Sequence, residues 1–378
     1  MSLICLICHY RLKLMTKIML KIALVHDHLV QDGGAEKVLK VFCELYPKSP
    51  VFTIVYDKNG TNSFFAEKTV KTSYIQRFPS GVKNYQWYLS LMPSAVENLC
   101  LDDYDLVITS GSSFAKGVIT RPGVKNICYC NTPTRYLWND SHNYLRDLKV
   151  HWLVKKILPL TLNKLRLWDR LAAERVDHFI ANSQTVAERI KKYYNRDAVV
   201  IYPPVDVDKF KISNSPKQYF LAGGRLVSYK RFDLIVKAFS RLGIPIKIFG
   251  IGPEFNYLKK IAKSNVEFLG KIDDARKIEL YSNCLAYINP QEEDFGITTI
   301  EAMASGRPVI AYRAGGAKET VLDGVTGEFF EEQIWEDLAE SVLRFNETKY
   351  NPQVIREHAE KFSVEKFKLK FKEFIDSL

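Results

Sequence analysis

Apolar residues recur along the chain in two alternating patterns. Short, continuous apolar runs such as KIALVHD and YDLVITSG are typical of parallel strands that are covered on both faces. Segments with a helical period separate these runs, and the first of them, AEKVLKVF, directly follows Gly33 and Gly34. The runs VFTIVY, NICYCNTP and HFIANSQ continue the same order. From Lys21 onward, the first half of the chain therefore predicts a doubly wound α/β domain.

The second half repeats this alternation. The runs YFLAGGR, IKIFGIG, VEFLG, LAYINP and PVIAYRAGG predict strands, and helices are expected around Phe232 to Leu242 and Glu254 to Lys263. Between the halves, the paired prolines of VIYPPVDVDKF, residues 200 to 210, end a strand and resist both helix and central sheet. We therefore predict two α/β domains of mostly parallel strands, at 19–204 and 205–360.

Composition sets limits on the class of protein. The 378 residues are 47% hydrophobic and 26% charged, which is typical of a globular chain long enough for two domains. The formal net charge of +11 favours an anionic partner such as nucleic acid, a phosphorylated substrate or an acidic membrane face. Seven cysteines without a framework spacing favour a reducing compartment, so we expect a cytoplasmic protein.

The first 18 residues differ from the rest of the chain. They lack acidic residues, mix apolar with basic side chains, and contain no apolar run long enough to span a bilayer. A weak interfacial helix, a degraded signal and an over-extended start are the alternatives, and we expect this segment to lie outside the fold. Its CLICH sequence, residues 5 to 9, has the haem-attachment spacing, but no scaffold for a haem follows.

Two carboxylates bracket an apolar stretch in EEDFGITTIEAMASG, residues 292 to 306. Glu293 and Glu301 follow CLAYINP, which predicts a buried strand that ends at a turn. Because ligands of open α/β sheets bind where loops leave the carboxyl ends of strands, both glutamates are expected to face one pocket. Carboxylates accept hydrogen bonds from hydroxyls, which favours a sugar or a ribose. The alternative is a solvated loop residue at Glu293 and an amphipathic helix that begins at Glu301, with Ile300, Met303 and Ala304 facing a core.

Basic and glycine-rich loops follow other apolar runs. Arg225 and Lys230 lie in GGRLVSYK, which directly follows the YFLA run. Their positive charges are of the kind that bind phosphate oxygens. The loops at Gly33-Gly34 and at GIGP, residues 250 to 253, permit close approach of backbone to an anion, although each also fits an ordinary turn. Neither has the G-x-G-x-x-G spacing of nicotinamide-binding loops. Phosphate-binding and hydroxyl-binding groups together predict a nucleotide sugar as the ligand.

An Asp-x-Asp sequence occurs at residues 206 to 208. Such a pair binds a metal ion beside a nucleotide diphosphate in some enzymes, but here it follows Pro-Pro and precedes Lys209 and Phe210. That context favours a turn leading into a linker. We therefore expect no metal ion and no other cofactor.

These motifs together resemble glycosyltransferase family 4, a family of retaining transferases with the GT-B fold. The most specific match is the E-x7-E signature from Glu293 to Glu301. GGRLVSYKRFD, FGIGP and FLGKI accompany it in the second half, and HDHLVQDGGAEKVL and FIANSQTVAERI in the first. The resemblance implies two facing Rossmann-like domains, the first binding the acceptor and the second the nucleotide-sugar donor, with the helix at 361–378 crossing back toward the first.

The resemblance also implies roles for the matching residues. Arg225 and Lys230 would bind the donor diphosphate and stabilise the charge that develops as the glycosidic bond breaks, without a metal ion. Glu293 would bind hydroxyls of the transferred sugar and Glu301 the ribose, and neither is expected to act as a nucleophile. The implied donor-binding set is Gly33, Gly34, Arg225, Lys230, Gly252, Glu293, Phe295, Gly296, Ile297 and Glu301.

The segment CNTPTRYLWND departs from the family at one position. Relatives often carry a histidine, thought to contact the transferred sugar, where this chain has Asn131. An amide donates and accepts hydrogen bonds but carries no proton charge, so either its role is orienting or the rate and donor preference differ. An aromatic core patch is the alternative for TPTRYLW. The implied catalytic set is Arg225, Lys230, Glu293 and Asn131, and the implied acceptor-binding set is Asn131, Arg135 and Trp138.

TPTRYLW is also similar to a segment of mannosyltransferases that build O-antigen and other surface polysaccharides on a lipid carrier. This implies GDP-mannose as donor and a lipid-linked or polysaccharide acceptor, with a UDP-sugar donor as the alternative. Residues 145–175 carry eight Lys and Arg residues against three acidic ones, interleaved with Trp152, Leu153, Ile157, Leu158 and Trp168. That mixture favours the anionic cytoplasmic face of a membrane or a lipid diphosphate, or else a helical pair with snorkelling lysines.

Two rival functions share the expected fold. A nucleotide-sugar epimerase would use the same pocket but needs acid and base groups at the sugar, and the sequence offers no obvious set. A non-catalytic binding relative conflicts with the intact basic and acidic motifs, although Asn131 leaves it open. No RNA- or DNA-binding motif accompanies the positive charge, so we expect no nucleic-acid partner.

Overall fold

The structure is a computed structural model that describes residues 20–139, 141, 152–213 and 218–378, and side chains within 152–154 are not described. The extension predicted at 1–18, with its CLICH sequence, lies outside the described residues. The first part of the basic stretch at 145–175 also lies outside them. The described chain forms two sheets with helices between the strands.

The N-terminal sheet consists of β1 (Ile22–His26), β2 (Val51–Thr53), β3 (Val70–Thr72), β4 (Leu106–Gly111), β5 (Lys125–Cys130), β6 (His178–Ala181) and β7 (Ala198–Val200). Their order is β3-β2-β1-β4-β5-β6-β7. β1 pairs in parallel with β2 and β4, so that Leu24 lies opposite Val51 and Ile108. Every residue of β4 is buried, as expected for a strand covered on both faces. The sequence analysis missed β3 because Val-Lys-Thr is a short edge strand without a continuous apolar run.

The C-terminal sheet consists of β8 (Phe220–Gly223), β9 (Ile246–Phe249), β10 (Val266–Gly270), β11 (Tyr287–Asn289), β12 (Val309–Tyr312) and β13 (Gly327–Phe330). All neighbours pair in parallel, in the order β10-β9-β8-β11-β12-β13. From β8 the chain first extends the sheet through β9 to β10 at one edge. It then returns to β11, on the other side of β8, and extends the sheet through β12 to β13 at the opposite edge. Such a switch point opens a crevice at the carboxyl ends of both strands, which is where ligands of this sheet type bind.

Helices connect these strands. They are α1 (Gly34–Leu45), α2 (Met92–Glu97), α3 (Trp152–Glu174), α4 (Gln184–Tyr194), α5 (Phe232–Leu242), α6 (Phe255–Ile261), α7 (Asp274–Asn283), α8 (Ile297–Ala304), α9 (Ala317–Thr320), α10 (Trp335–Arg344), α11 (Pro352–Ala359) and α12 (Val364–Asp376). α5 has the predicted bounds, and Gly243, with φ of 73°, ends it in the left-handed conformation that glycine favours. Of the helices in the described chain, none is apolar over a length that would cross a bilayer.

The C-terminal sheet is covered by an apolar cluster on each face. Leu221, Ile300 and Met303 belong to one cluster, and Phe239 and Ile248 to the other. Strands held between two cores have little freedom to shift. The loops that leave β8 and β11 are therefore fixed at their bases.

The chain forms two compact units. Apart from the undescribed residues, one comprises the chain up to Asp32, Phe42–Tyr129 and Thr134–His178, and the other comprises Gly33–Val41, Cys130–Pro133 and Phe179–Leu378. The second unit thus combines the C-terminal sheet with the glycine loop at Gly33-Gly34 and with Asn131. Residues from three distant parts of the sequence belong to one compact body.

Candidate active site

Glu293 lies in the loop between β11 and α8. Its Oε1 accepts hydrogen bonds from Lys230 Nζ at 2.8 Å and from Gln291 Nε2 at 2.9 Å. Gly296 precedes α8 with φ of 93°, a conformation that side chains other than glycine rarely adopt. The glycine allows the loop to turn sharply into the helix, so that Glu293 stays at the carboxyl end of β11.

Lys230 lies on the loop that leaves β8, the other strand at the switch point. It ends a short 3₁₀ turn, Ser228–Lys230, and a Cβ added at Gly224 would lie 3.2 Å from its Nζ. The side chain of Arg225 is exposed on the same loop. The structure therefore brings the predicted Lys230 and Glu293 into contact, and it places Arg225 on the loop that carries Lys230.

Glu301 is buried, with 3% of its surface exposed. α8 begins at Ile297, so Glu301 lies within the helix, and the alternative of a helix that begins at Glu301 is wrong. Its Oε1 lies 2.8 Å from Lys37 Nζ and 3.2 Å from Lys277 Nζ. Burial alone would raise the pKa of Glu301, but the charges and hydrogen bonds of these two lysines outweigh it and lower the pKa. The carboxylate is therefore ionised at neutral pH.

Tyr281 donates to the other oxygen of the same carboxylate. Its hydroxyl lies 3.4 Å from Glu301 Oε2. Burial raises the pKa of the Tyr281 hydroxyl well above its usual value, so the group remains a neutral donor. Sequence reasoning missed Tyr281, Lys37 and Lys277. The only available signal was that Lys37 lies one helical turn after Gly34.

The predicted glycines lie where other atoms approach closely. A Cβ on Gly34 would lie 2.9 Å from Ile297 Cδ1, and a Cβ on Gly252 would lie 2.2 Å from the carbonyl oxygen of Leu226. Gly33 N donates to Glu36 Oε2 at 3.0 Å, as in a helix capping box. Packing against backbone thus requires glycine at 252, whereas at 34 only the end of the Ile297 side chain would have to shift. A role of these residues in donor binding stays a prediction.

Phe295 contributes a side chain to the core. It is 3% exposed, and its ring packs 5.6 Å from that of Tyr202 and 5.5 Å from that of Phe362. The side chain of Phe295 is therefore not available to a ligand, and a role of this residue in donor binding stays a prediction.

Arg189 on α4 pairs with the acidic residues that flank Glu293. Its guanidinium lies 2.8 Å from Glu292 Oε1 and also donates to Asp294. Ser183 caps the same helix by accepting a hydrogen bond from Val186 N at 3.1 Å. Arg189 thereby anchors the loop before α8. Sequence reasoning missed it because one arginine in an amphipathic helix carries no specific signal.

Asn131 lies in the second unit, half-buried. Its Nδ2 has no hydrogen-bond partner among the described residues. A buried donor without a partner is costly unless a ligand or water satisfies it. The structure is therefore compatible with the predicted contact between Asn131 and a ligand.

Trp138 belongs to the first unit, where Asp169 of α3 holds it. Its Nε1 donates to Asp169 Oδ2 at 2.7 Å, and the hydroxyl of Thr134 donates to Oδ1 at 3.0 Å. Lys116 Nζ lies 2.5 Å from the same Oδ1. The indole N–H is therefore engaged within the protein, and the guanidinium of Arg166 lies over the ring, 6.0 Å from its centroid. Arg135, also predicted for the acceptor, is half-buried in the same segment.

Asp27, directly after β1, organises the loop that follows β4. Its two carboxylate oxygens accept hydrogen bonds from the backbone N–H groups of Ser112, Ser113, Phe114 and Ala115. Burial alone would raise the pKa of Asp27, but the charges of His28 and His26 and the N–H donors outweigh it and lower the pKa. The carboxylate thus satisfies backbone donors that would otherwise be buried without partners.

The Asp-x-Asp sequence lies in a turn, as the linker context predicted. Val207–Lys209 form a 3₁₀ turn, and Asp206 pairs with Lys209 at 2.8 Å. In the part of the chain that the structure describes, no group of three or more His, Cys, Asp or Glu side chains is arranged to hold a metal ion.

Comparison with known proteins identifies relatives of this chain. An uncharacterized glycosyltransferase of Methanocaldococcus jannaschii is 26% identical over 205 residues, which are 53% of this chain and 58% of that protein. The alpha-1,3/1,6-mannosyltransferase ALG2 of Rhizomucor pusillus is 24% identical over 304 residues, 65% of this chain and 63% of that protein. The chain thus spans less than two thirds of the length of each relative.

A solved structure shows the same fold. The crystal structure of HepE from Anabaena in complex with UDP is 19% identical, covers 95% of this chain and 100% of that chain, and has a TM-score of 0.70. This likeness confirms the predicted GT-B fold. Family models described as Glycosyltransferase Family 4 and Glycosyl transferases group 1 match residues 32–209 and 205–362. Together the two matches span residues 32–362.

Proposed function

We propose that the protein is a retaining, metal-independent glycosyltransferase that moves mannose from GDP-mannose to a hydroxyl of a lipid-linked or polysaccharide acceptor in the synthesis of cell-surface glycans. The observation that carries this proposal is the contact of Lys230 with Glu293, 2.8 Å apart, on the two loops at the switch point of the C-terminal sheet. A sugar diphosphate needs a cation for its phosphate and a carboxylate for its hydroxyls at one place. This pair supplies both.

Lys230 and Arg225 act on the leaving group. As the glycosidic bond breaks, negative charge grows on the diphosphate, and a partly buried ammonium stabilises this charge more than an exposed one. Glu293 accepts hydrogen bonds from hydroxyls of the transferred sugar, and its contacts with Lys230 and Gln291 oppose a nucleophilic role. The acceptor hydroxyl attacks on the face that the diphosphate leaves, and a phosphate oxygen takes its proton. Asn131 Nδ2 donates to the sugar.

The choice of donor rests on the named relatives. The relative from Rhizomucor pusillus is named as a mannosyltransferase, which favours GDP-mannose. The HepE structure contains UDP, which supports the alternative of a UDP-sugar. Both donors place a ribose diol beside a diphosphate, so the roles of Glu301 and Lys230 are the same for either.

The donor site is tested by the melting temperature with and without GDP, UDP, ADP and their sugar conjugates. A ligand that binds only the folded state adds about 2.7 kcal/mol of stability at a hundred times its Kd, so we expect the largest increase with GDP-mannose. Glu301→Gln should weaken binding about tenfold, because the neutral amide binds hydroxyls less strongly and leaves two lysines without their carboxylate. Glu340→Gln, at an exposed position on α10, is the matched control. No increase with any nucleotide in the wild type would overturn the proposed function.

We further propose that α3 contacts an anionic membrane surface. Four large aliphatic residues recur on one side of this helix and are 59 to 68% exposed: Ile157, Leu160, Leu167 and Leu171. Lys156 and Lys164 are exposed beside this row, whereas the one acidic residue exposed on the described part of the helix, Glu174, stands at its end. Trp168, expected among the exposed aromatics, instead donates to Glu97 Oε1 at 2.8 Å. An exposed apolar row flanked by lysines matches an anionic bilayer surface.

Cosedimentation with lipid vesicles tests this surface. The wild type should bind vesicles that contain phosphatidylglycerol and bind vesicles of phosphatidylcholine alone more weakly. Leu160→Ser with Leu167→Ser should reduce the bound fraction about tenfold, since each leucine loses apolar area that the bilayer would cover. Leu343→Ser with Leu369→Ser, at comparably exposed leucines of α10 and α12, should have no effect. Equal binding of both double variants would contradict the proposed surface.

A further inference from the structure

Lys37 contacts Glu301 although 264 positions separate them. Lys37 lies in the first turn of α1, directly after the glycine loop, and both residues belong to the second unit. Its ammonium donates to Glu301 Oε1, the oxygen that also accepts from Lys277. Two positive charges thus meet one carboxylate oxygen. Both ammonium groups lie beside the predicted ribose-binding group.

The helices that carry these residues lie side by side. Gly34 approaches Ile297, the first residue of α8, and one turn further along each helix Lys37 meets Glu301. The matched spacing means that α1 and α8 present their N-terminal ends at the same place. Each end has backbone N–H groups without helical partners and a partial positive charge, so the two ends together favour an anion.

A ribose diol would compete with the lysines for Glu301. A carboxylate oxygen offers about two positions for donors, and the two ammonium groups occupy both positions of Oε1. Two hydroxyls that donate to both oxygens therefore displace one ammonium. Lys37 is 44% exposed, whereas Lys277 is 16% exposed and also lies 3.5 Å from Asp274. Lys37 is thus the lysine that leaves.

Building on the proposed function, we propose that Lys37 is a donor-binding residue: Glu301 holds its ammonium in this structure, and a bound donor draws that ammonium to its diphosphate. The released ammonium lies beside two helix N-termini that favour the same phosphates, and its flexible four-carbon stem lets it move without the helix. Lys277 stays on Glu301 and keeps it ionised. Ribose binding and phosphate binding are thereby coupled through one carboxylate.

Calorimetric titration with GDP and with guanosine separates this role from a structural one. Lys37→Met keeps most of the apolar stem but removes the charge, so GDP should bind about tenfold more weakly. Guanosine has no phosphates and competes with Lys37 for Glu301, so its affinity should stay equal or rise. Lys37→Arg should restore GDP binding in part. Lys58→Met, the same change at an exposed loop lysine, should alter neither affinity.

The possible outcomes distinguish this inference from the proposed function. Equal losses of GDP and guanosine affinity in Lys37→Met would show a structural role and overturn the inference. Unchanged GDP affinity in that variant would overturn it too. In both cases the wild type still binds GDP, and the proposed function stands. A wild type that binds no nucleotide would overturn the proposed function itself, and this inference with it.

Discussion

Lys230→Ala is expected to lower the turnover number about 10²- to 10³-fold, the range found when one charge-stabilising donor is removed from an active site. The ammonium lies at the carboxyl end of β8, 2.8 Å from Glu293 and only partly exposed. Its field therefore acts on the leaving diphosphate with less screening than a surface charge. The measurement is the steady-state release of GDP from GDP-mannose, with a lipid extract as the source of acceptor.

The ratio of the effects on kcat and on KM shows what Lys230 does. Stabilisation of the developing charge lowers kcat, whereas uniform binding of donor and transition state would raise KM alone. Lys318→Ala, at an exposed lysine of α9, controls for the loss of one positive charge in the same unit. A Lys230→Ala enzyme with unchanged kcat would contradict the mechanism, even if its KM rises.

The position of the predicted donor-binding residues Lys230 and Glu293 could be inferred from the sequence because both follow strands that apolar runs predict. The runs YFLA and LAYINP predict β8 and β11, and the parallel pairing of these strands brings the loops of Lys230 and Glu293 together. The helix after Glu293 was equally visible, but its start was not. Gly296, with a positive φ, sets that start at Ile297 and so places Glu301 within α8.

Contacts between distant segments could not be predicted. The pairing of Lys37 with Glu301 and of Arg189 with Glu292 depends on how helices pack, and no local pattern reports it. Whether Trp138 contributes to a sugar site or to the core could not be predicted either, because an aromatic residue in a loop fits both. The structure shows its N–H on Asp169.

Which side of α3 is exposed could not be predicted from the sequence pattern either. A helix with leucines at 160, 162, 165 and 167 has apolar residues on more than one side, and the pattern alone does not say which side is buried. In the structure Leu162 and Leu165 are buried, and Leu160 and Leu167 are exposed. The choice depends on the residues of the first unit against which α3 packs.

Asp169→Ala is expected to destabilise the protein by about 3–5 kcal/mol, the cost of leaving a buried charge without its partner. Lys116 and Asp169 are 4% and 1% exposed, so water does not replace the lost carboxylate. The same change also leaves the Trp138 indole N–H without its Asp169 acceptor, whereas the Thr134 hydroxyl still has Ser112 O within 3.1 Å. Urea unfolding, followed by tryptophan fluorescence, measures the loss.

A double-mutant cycle separates the ion pair from the other bonds of Asp169. Lys116→Met removes the cation, so adding it to Asp169→Ala should recover part of the lost stability, because no charge then stays buried alone. The stability that remains lost reports the bonds to Thr134 and Trp138, which tie the predicted acceptor segment to α3. If the two single losses simply add, Lys116 and Asp169 do not interact, and the acceptor segment is held by other contacts.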